Sequence, residues 1–312
     1  MKNFRNQPLE PAKPLVTVGI LSYNYEQFIA AALHSVLTQT YHNIELIIID
    51  DCSTDNCPKI ITDWIKQNNI NCLYLQHQQN AGITQTSNEI VSHATGKYIT
   101  FFATDDIMLP ERIAKQAAIL EDAGEEYGMC YANAQTIDEH DNNLGFYSNK
   151  QVFPEEDILE AFLNKEVSFA TPTLLLSKSV FDKTGLFDTR VLIEDYNFLL
   201  RLLAIYKVKY CAYPCLIYRQ KVSTQSIIHQ HMAQNNAERH YHDRIISNHQ
   251  ALAFVKHASV RATLINNITK ALRNLAYSNS QYYFKMLFFL LFNGYWHIPV
   301  RTVFSKLRQQ LK

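Results

Sequence analysis

The sequence predicts an α/β protein in which helices flank a mostly parallel central sheet. Two observations support this fold class. Short apolar runs rich in β-branched residues alternate with stretches of helical periodicity over roughly the first 130 residues. Polar or acidic turns follow directly after several of these runs. Strands separated by helices pair in parallel, because the crossover helix returns the chain to the same end of the sheet.

The strand-like runs lie at residues 15–21, 44–49, 72–75 and 98–102. Helical spacing of apolar residues fills the intervals between them and continues to residue 122. Beyond residue 134 the pattern is less regular. The segments predicted there are a polar turn at 138–143, a helix at 153–162, a strand ending at 176, a helix at 177–183, a buried helix through 198–203 and a strand at 210–218.

The composition is that of a globular chain, with 47% hydrophobic and 19% charged residues. Its eight glycines and nine prolines exclude a collagen-like or low-complexity protein. The six cysteines form no Cys-x-x-Cys pair, so we expect free thiols in a reducing compartment. The polar start lacks the apolar core of a secretory signal, which together with the cysteines predicts a cytoplasmic protein.

A formal net charge of zero conceals an uneven distribution of charge along the chain. The first 225 residues hold 18 basic and 27 acidic side chains, whereas residues 226–312 hold 11 basic side chains and only two acids, Glu238 and Asp243. An acidic body with a basic end indicates that the C-terminal region faces an anionic partner.

Three polar turns follow strand-like runs: Ser22-Tyr23-Asn24 the first, Asp50-Asp51 the second and Asp105-Asp106 the fourth. Because parallel strands end at one edge of a sheet, we expect these turns to meet at one cleft. Adjacent carboxylates are costly to bury without a positive partner, which favours a divalent cation carrying a phosphorylated ligand. For an isolated acidic pair, the competing interpretation is a solvated turn in which Asp106 caps the next helix.

The turns also disfavour some nucleotide folds. The chain has no Gly-x-Gly-x-x-Gly after its first strand and no Gly-x-x-x-x-Gly-Lys-Ser/Thr, unlike dinucleotide dehydrogenases and P-loop kinases. An aromatic ring such as that of Tyr23 can instead stack on a base, and an Asp can accept a hydrogen bond from an imide N–H or from ribose hydroxyls. The sequence is therefore still compatible with a site for a nucleotide whose diphosphate is held by a metal.

Five sequence blocks occur in a fixed order: Val16-Thr17-Val18 through Ser22-Tyr23-Asn24, Leu37 to Tyr41, Ile49 to Asp55, Asn80-Ala81-Gly82, and Thr104-Asp105-Asp106. Their order and spacing resemble family 2 of the inverting glycosyltransferases, sugar-nucleotide enzymes of the GT-A fold. The resemblance implies a GT-A domain at 14–225, with a Rossmann-like nucleotide-sugar half at 14–134 and an acceptor half at 135–225. An N-terminal tail at 1–13 and a helical basic region at 226–312 complete the predicted organisation.

The resemblance also implies roles for individual residues. Tyr23 and Asp51 would contact the donor base, Asp105 the ribose or the donor sugar, and Asp106 the Mn²⁺ or Mg²⁺ that bridges the diphosphate. The other donor-binding candidates are Ser22, Asn24, Asn80 and Gly82. Ala103 departs from the pattern, because many members carry an acid there. Some members keep only the final pair, so we expect the metal site to be retained.

Glu194-Asp195 followed by Arg201 matches the catalytic-base signature of the resembled family. Inverting transfer needs a base that takes the acceptor hydroxyl proton while that oxygen attacks the anomeric carbon. The resemblance assigns this role to Asp195, which would otherwise be a simple helix N-cap, and makes Glu194 an acceptor-side candidate. Many relatives carry a histidine at the position of Lys221, which here either pairs with the diphosphate or makes no contact.

The C-terminal region allows two interpretations. Residues 255–278 have helical periodicity, and the aromatic-rich run at 282–292 is too short for a membrane span of about 20 residues. Aromatic residues beside basic ones fit an interfacial helix on an anionic inner leaflet, and they equally fit a core-covering helix pair or a dimer interface. Irregular spacing predicts an exposed helical face, not a metal cluster, for His229, His231, His240, His242 and His249.

The predicted function is metal-dependent inverting transfer of a hexosyl or hexosaminyl group from a nucleotide sugar, with a UDP-sugar as the default. The expected acceptor is a glycan or a lipid-linked molecule. The expected setting is bacterial surface-polysaccharide or lipopolysaccharide biosynthesis, and no nucleic-acid partner is expected. A sugar-phosphate nucleotidyltransferase is disfavoured because the first turn lacks a glycine-rich basic loop. A degenerate sugar-nucleotide-binding scaffold, suggested by Ala103 and Lys221, is the non-enzymatic alternative, against which the retained Asp106, Asp195 and Arg201 argue.

Overall fold

The computed structural model describes residues 4–6, 13–150, 153–220, 237–278 and 281–295. The chain divides into two compact units. The first comprises residues 1–187 and 206–222, and the second comprises residues 188–205 and 223–312. The domain bounds at 134 and 225 that the sequence suggested stay a prediction.

The first unit is built on one mixed sheet. Its strands are β1 (Val16–Ser22), β2 (Ile44–Asp50), β3 (Leu73–Gln76), β4 (Tyr98–Ala103), β5 (Ile107–Met108), β6 (Tyr127–Ile137), β7 (Asn143–Phe146), β8 (Leu175–Ser177) and β9 (Lys207–Arg219). Within the described ranges the order is β3-β2-β1-β4-β8-β6-β9-β5, and β7 pairs with β6. Strands β1 to β4 pair in parallel, as do β6 and β9, so the predicted α/β fold is confirmed.

Helices cover both faces of this sheet. They are α1 (Ile29–Leu37), α2 (Cys57–Gln67), α3 (Ile83–His93), α4 (Arg112–Ala123), α5 (Leu159–Leu163) and α6 (Val180–Thr184). Side chains alternate along a strand, so Val16, Val18 and Ile20 of β1 enter the apolar core that α1, α2 and α4 share. The opposite face of β1 presents Gly19, against which Ile90 of α3 packs.

Two predictions in the 150–185 region are wrong in their bounds. The helix predicted at 153–162 is limited to α5, because Glu156 has a φ of +70° and forms a β-bridge with Val208. The helix predicted at 177–183 begins only at Val180, because Ser177 is still paired with Tyr98 in the sheet.

The second unit is helical. It contains α7 (Glu194–Leu203), α8 (Ala237–Ala251), α9 (Ala258–Tyr277) and α10 (Gln281–Phe292). Helix α9 confirms the periodicity found at 255–278. Among the described residues, no helix is long and apolar enough to cross a membrane.

Polar contacts fasten α7 to the rest of the second unit. The Asn197 side-chain amide donates to Ser247 Oγ at 3.1 Å and to Gln250 Oε1 at 2.8 Å. The backbone N–H of Leu192, just before α7, donates to Asp243 Oδ2 at 2.8 Å. These bonds join the N-terminal part of α7 to α8, which lies about 50 residues further along the chain.

The predicted exposed histidine face is wrong for His242. This side chain is buried, and its Nδ1 lies 2.9 Å from Asp243 Oδ1. His229 and His231 lie outside the described residues. No group of three metal-ligating side chains that could hold an ion occurs in the parts of the chain that the structure describes.

Replacing Gly19 with alanine tests the packing of α3 on β1. A Cβ at this position would lie 2.4 Å from Ile90 Cγ2, so either the helix or the strand must move. We expect the G19A variant to lose about 1–3 kcal/mol of unfolding free energy in urea titrations. The double variant G19A/I90A should cost less than the sum of the two single changes, because truncation removes the clashing methyl. Additive costs would contradict this packing.

Candidate active site

The structure brings the three polar turns to one edge of the sheet. Strand β1 pairs in register with both neighbours, so that Ser22 lies opposite Asp50 and Leu21 lies opposite Ala103. The residues that follow β1, β2 and β4 therefore leave the sheet side by side. In an open α/β sheet this carboxyl edge is where ligands bind.

Asp50 joins the first two turns. Its carboxylate is fully buried and accepts hydrogen bonds from the Oγ atoms of Ser22 and Ser53, at 3.0 and 2.6 Å, and from the Ser53 N–H at 2.9 Å. The carbonyl of Ser22 accepts the N–H of Asp51 at 2.9 Å. Ser22, predicted to bind the donor, thus serves in this structure as a brace between β1 and β2.

Asn24 also bridges the two turns. It has a φ of +55°, a left-handed conformation that asparagine tolerates. Its Oδ1 accepts the N–H of Thr54 at 2.8 Å, and its own N–H donates to Ser53 Oγ at 3.0 Å. The adjacent Tyr23 ring is 43% exposed, so it offers an aromatic surface to a ligand.

Asp51 fixes the loop that precedes α3. Its Oδ1 accepts the N–H of Ala81 at 2.7 Å and its Oδ2 accepts the N–H of Gly82 at 2.8 Å. Gly82 has a φ of +84°, a conformation that glycine adopts readily. The structure therefore places Asp51 beside Gly82 in the loop that also carries the exposed Asn80, and their donor-binding roles stay a prediction.

His77 contacts Asp51 and also Glu89, and neither His77 nor Glu89 was predicted from the sequence. His77 Nδ1 lies 2.7 Å from Asp51 Oδ1, and its Nε2 lies 2.8 Å from Glu89 Oε2. Burial lowers the pKa of His77, but its hydrogen bonds to Asp51 and Glu89 and the charges of both outweigh this, so its pKa is raised. The position of His77 directly after β3 was the signal, because β3 ends at the same edge.

Asp106 is the most buried acid of the fourth-strand turn, with 2% exposure. Its Oδ1 accepts the N–H of Arg219 at 2.9 Å, whereas its Oδ2 has no hydrogen-bond partner among the described residues. Burial raises the pKa of Asp106 well above its usual range, and the charge of Asp105 raises it further. The Arg219 N–H and the charges of Arg112 and Arg219 oppose that shift. A buried carboxylate oxygen without a donor is suited to a cation ligand.

Arg219 and Tyr25 complete this turn, and neither was predicted. Arg219 Nε donates to the Asp105 carbonyl at 3.0 Å, and its guanidinium lies 4.1 Å from the ring centroid of Phe28. Burial and the charges of Asp105 and Asp106 raise the pKa of Tyr25, whose phenol also hydrogen-bonds Asp105. Arg219 lies two residues before the predicted site residue Lys221, which is outside the described residues.

In the second unit, Glu194 and Asp195 form the first turn of α7. Asp195 Oδ1 accepts the N–H of Tyr196 at 2.6 Å, and the helix dipole favours a negative charge here. Burial, with the charge of Asp195, raises the pKa of Glu194 to about 7. Arg201 is buried and donates to Asn197 Oδ1 at 2.9 Å.

This parallel sheet edge carries acidic turns after its second and fourth strands. The chain belongs to glycosyl transferase family 2, whose family model matches residues 17–225. It is similar to the glycosyltransferase GlyG of Streptococcus pneumoniae serotype 4, with 30% identity over 180 residues. That match covers 54% of this chain and 58% of GlyG. The putative teichuronic acid biosynthesis glycosyltransferase TuaG of Bacillus subtilis is 37% identical over 105 residues, 33% of this chain and 41% of TuaG.

Solved structures agree on the fold. TarS 1-349 of S. aureus in complex with UDP-GlcNAc superposes with a TM-score of 0.60 at 17% identity, covering 86% of this chain and 74% of that one. The mannosyltransferase PcManGT of Pyrobaculum calidifontis, in complex with GDP-Man and Mn²⁺, gives a TM-score of 0.57 at 16% identity and covers 99% and 90%. The GT-A fold predicted from the sequence is confirmed.

Replacing His77 with glutamine tests the His77 contact with Asp51 and Glu89. Because the folded-state pKa of His77 is raised, its stabilising contribution is complete below the unfolded value near 6.5 and declines as the pH rises through the raised value. We expect H77Q to lose about 1–3 kcal/mol of unfolding free energy at pH 5.5 and clearly less at pH 9. The exposed His93→Gln serves as the matched control. Equal losses at both pH values would show that the charge on His77 does not matter.

Proposed function

We propose that this protein is a metal-dependent inverting glycosyltransferase that moves a hexosyl or hexosaminyl group from a nucleotide sugar to a glycan or lipid-linked acceptor. The observation that carries the proposal is the buried Asp106, one carboxylate oxygen of which has no donor among the described residues. Family membership supports sugar transfer. Complexes of structural neighbours with UDP-GlcNAc, or with GDP-Man and Mn²⁺, support a nucleotide-sugar donor and a divalent metal.

On the donor side, we assign base binding to Tyr23 and Asp51. The exposed Tyr23 ring supplies a stacking surface. The Oδ2 atom of Asp51 accepts the Gly82 N–H, and a carboxylate oxygen has room for a second hydrogen bond from a base imide N–H. Asn80 and Gly82 would line the donor pocket. Ser22 and Asn24 would act there through the turns that they brace.

Asp106, supported by Asp105, would hold Mn²⁺ or Mg²⁺ together with the donor diphosphate. When bound, such an ion neutralises the charge that develops on the leaving diphosphate. Asp105 would in addition contact the ribose or the donor sugar. Ala103 supplies no acid, so the chain offers few carboxylates here, and we expect the diphosphate oxygens to complete the coordination. Lys221 is a further candidate for the diphosphate.

For the transfer itself, we assign Asp195 as the base that accepts the acceptor hydroxyl proton. The attacking oxygen then forms its bond to the anomeric carbon as the bond to the diphosphate breaks. Glu194 is the acceptor-side candidate. Its pKa of about 7 also gives it a proton affinity suited to base catalysis near neutral pH, so the two carboxylates need separate tests.

A UDP-sugar is the default donor, as the family resemblance implies. We place the reaction in bacterial surface-polysaccharide or lipopolysaccharide biosynthesis, on the cytoplasmic side of the membrane. The similarity to TuaG, whose name refers to teichuronic acid biosynthesis, supports a polysaccharide setting. We retain residues 14–225 as the proposed GT-A domain and residues 226–312 as a helical basic region, which shares the second unit with residues 188–205.

Nucleotide binding tests the donor side. Calorimetric titration with UDP, GDP, dTDP and CMP should reveal one nucleotide that binds more tightly with Mn²⁺ than without it. We expect D106N to lose that metal enhancement, because the amide keeps an acceptor for the Arg219 N–H but removes the negative charge.

The exposed Asp122→Asn is the matched control and should bind as the unmodified chain does. Metal-independent binding in the unmodified chain would exclude the metal role of Asp106. Absence of binding by every nucleotide, in folded protein, would favour the non-catalytic scaffold.

Two conservative variants of α7 separate the candidate bases. D195N should lower kcat by about 10²- to 10⁴-fold while donor affinity stays unchanged, because only the proton acceptor is lost. E194Q should retain most of the turnover. Because ionisation of Glu194 is disfavoured in the folded state, E194Q should also melt at a higher temperature than the unmodified chain at pH 8.5, but not at pH 4.5.

Full activity of D195N would remove Asp195 from the mechanism. If E194Q instead loses turnover together with the pH step near 7, the base is Glu194. Melting curves of both variants report folding independently of activity.

A further inference from the structure

Helix α10 carries a row of phenylalanines that the described part of the second unit leaves uncovered. Phe284, Phe288 and Phe292 are 61%, 55% and 88% exposed. They recur every fourth residue, so they lie on one side of the helix. Lys285 is exposed on the same side.

The opposite side of α10 is already packed. Tyr283, Met286 and Leu290 are buried, with exposures of 4%, 2% and 0%. Among the residues that the structure describes, packing uses one side of the helix and leaves the phenylalanine row exposed. Single exposed apolar residues are common, but three large rings aligned on a twelve-residue helix form a patch that indicates a binding surface.

Along the sequence, the charged residues on either side of this helix are all basic from Arg244 onward. Asp243 is the last acidic residue of the chain, and the segment that follows it contains ten basic residues: Arg244, Lys256, Arg261, Lys270, Arg273, Lys285, Arg301, Lys306, Arg308 and Lys312. Lys256, Lys270 and Arg273 are exposed in the structure. An acid-free basic segment of this length attracts an anionic surface.

We infer that the phenylalanine row of α10 docks onto an anionic phospholipid surface, with the helix lying in the plane of the membrane. The three rings enter the boundary between headgroups and acyl chains, and Lys285, on the same side of the helix, contacts lipid phosphates. At about 1.5 Å per residue the helix is too short to cross the bilayer, which agrees with an interfacial position.

Charge favours an anionic membrane over a second copy of the chain as the partner of the phenylalanine row. Pairing two copies through this row would bring the Lys285 ammonium groups of both copies close together, which costs free energy. An anionic bilayer satisfies the apolar and the basic groups at the same time. The inference does not depend on the proposed sugar transfer, because its test measures binding alone.

Vesicle sedimentation of the full chain tests the inference. The chain should bind vesicles of phosphatidylglycerol and phosphatidylcholine in equal parts, and binding should fall steeply with added salt. The triple variant F284Q/F288Q/F292Q should bind about a hundredfold more weakly or worse, because each ring withdrawn from water is worth roughly tenfold in partition. Glutamine is a good helix former and these positions are exposed, so we expect α10 to persist.

The matched control is L144Q/F146Q, which removes two side chains of the first unit that are each 48% exposed. This variant should bind vesicles as the unmodified chain does. A charge-reversing variant, K285E, should weaken binding without altering an apolar residue.

Equal vesicle binding by the triple variant, or equal binding to pure phosphatidylcholine, would overturn the inference. So would a lack of vesicle binding accompanied by self-association that the triple variant abolishes, since a second copy would then cover the row. Sedimentation velocity of both proteins separates that outcome from membrane docking.

Discussion

The hydrogen bond from the Arg219 N–H to the buried Asp106 carboxylate holds together the part of the sheet edge on which the proposed donor site depends. It ties the last residue of β9 to the turn after β4, although about 110 residues separate them in the chain. The Arg219 guanidinium then secures the Asp105 carbonyl. One carboxylate oxygen of Asp106 thus accepts a hydrogen bond from the protein, and the other has no partner among the described residues.

The aspartates at this edge of the sheet differ in how completely their carboxylates are hydrogen-bonded. Asp50 has all its contacts inside the protein and serves to hold the turns after β1 and β2 in place. Asp106 is nearly as deeply buried, but one of its oxygens has no partner in the part of the chain that the structure describes. Burial alone therefore does not distinguish the two acids, whereas the unpaired oxygen makes Asp106 the candidate for ligand binding. Asp51 is intermediate, because it orders the Gly82 loop and keeps some capacity to accept.

The sequence was sufficient for features that depend on local periodicity. The parallel strands, the three turns at their carboxyl ends and the helix through 258–277 follow from apolar spacing and turn residues. Contacts between distant segments could not be read in this way. His77 meets Glu89 only because β3 and α3 are neighbours in space, and the raised pKa of Glu194 comes mainly from burial, which the sequence does not show. Glu156 breaks a predicted helix through a backbone conformation that its residue type does not suggest.

The anchoring of α7 has a consequence for how the protein can be divided. The match to the family ends at residue 225, yet the polar partners of Asn197 and of the Leu192 N–H lie on α8, beyond that point. A recombinant fragment cut at the family boundary would strip these partners from the helix that carries Glu194 and Asp195. A domain swap should therefore exchange residues 188–205 together with the C-terminal helices, because they form one compact unit.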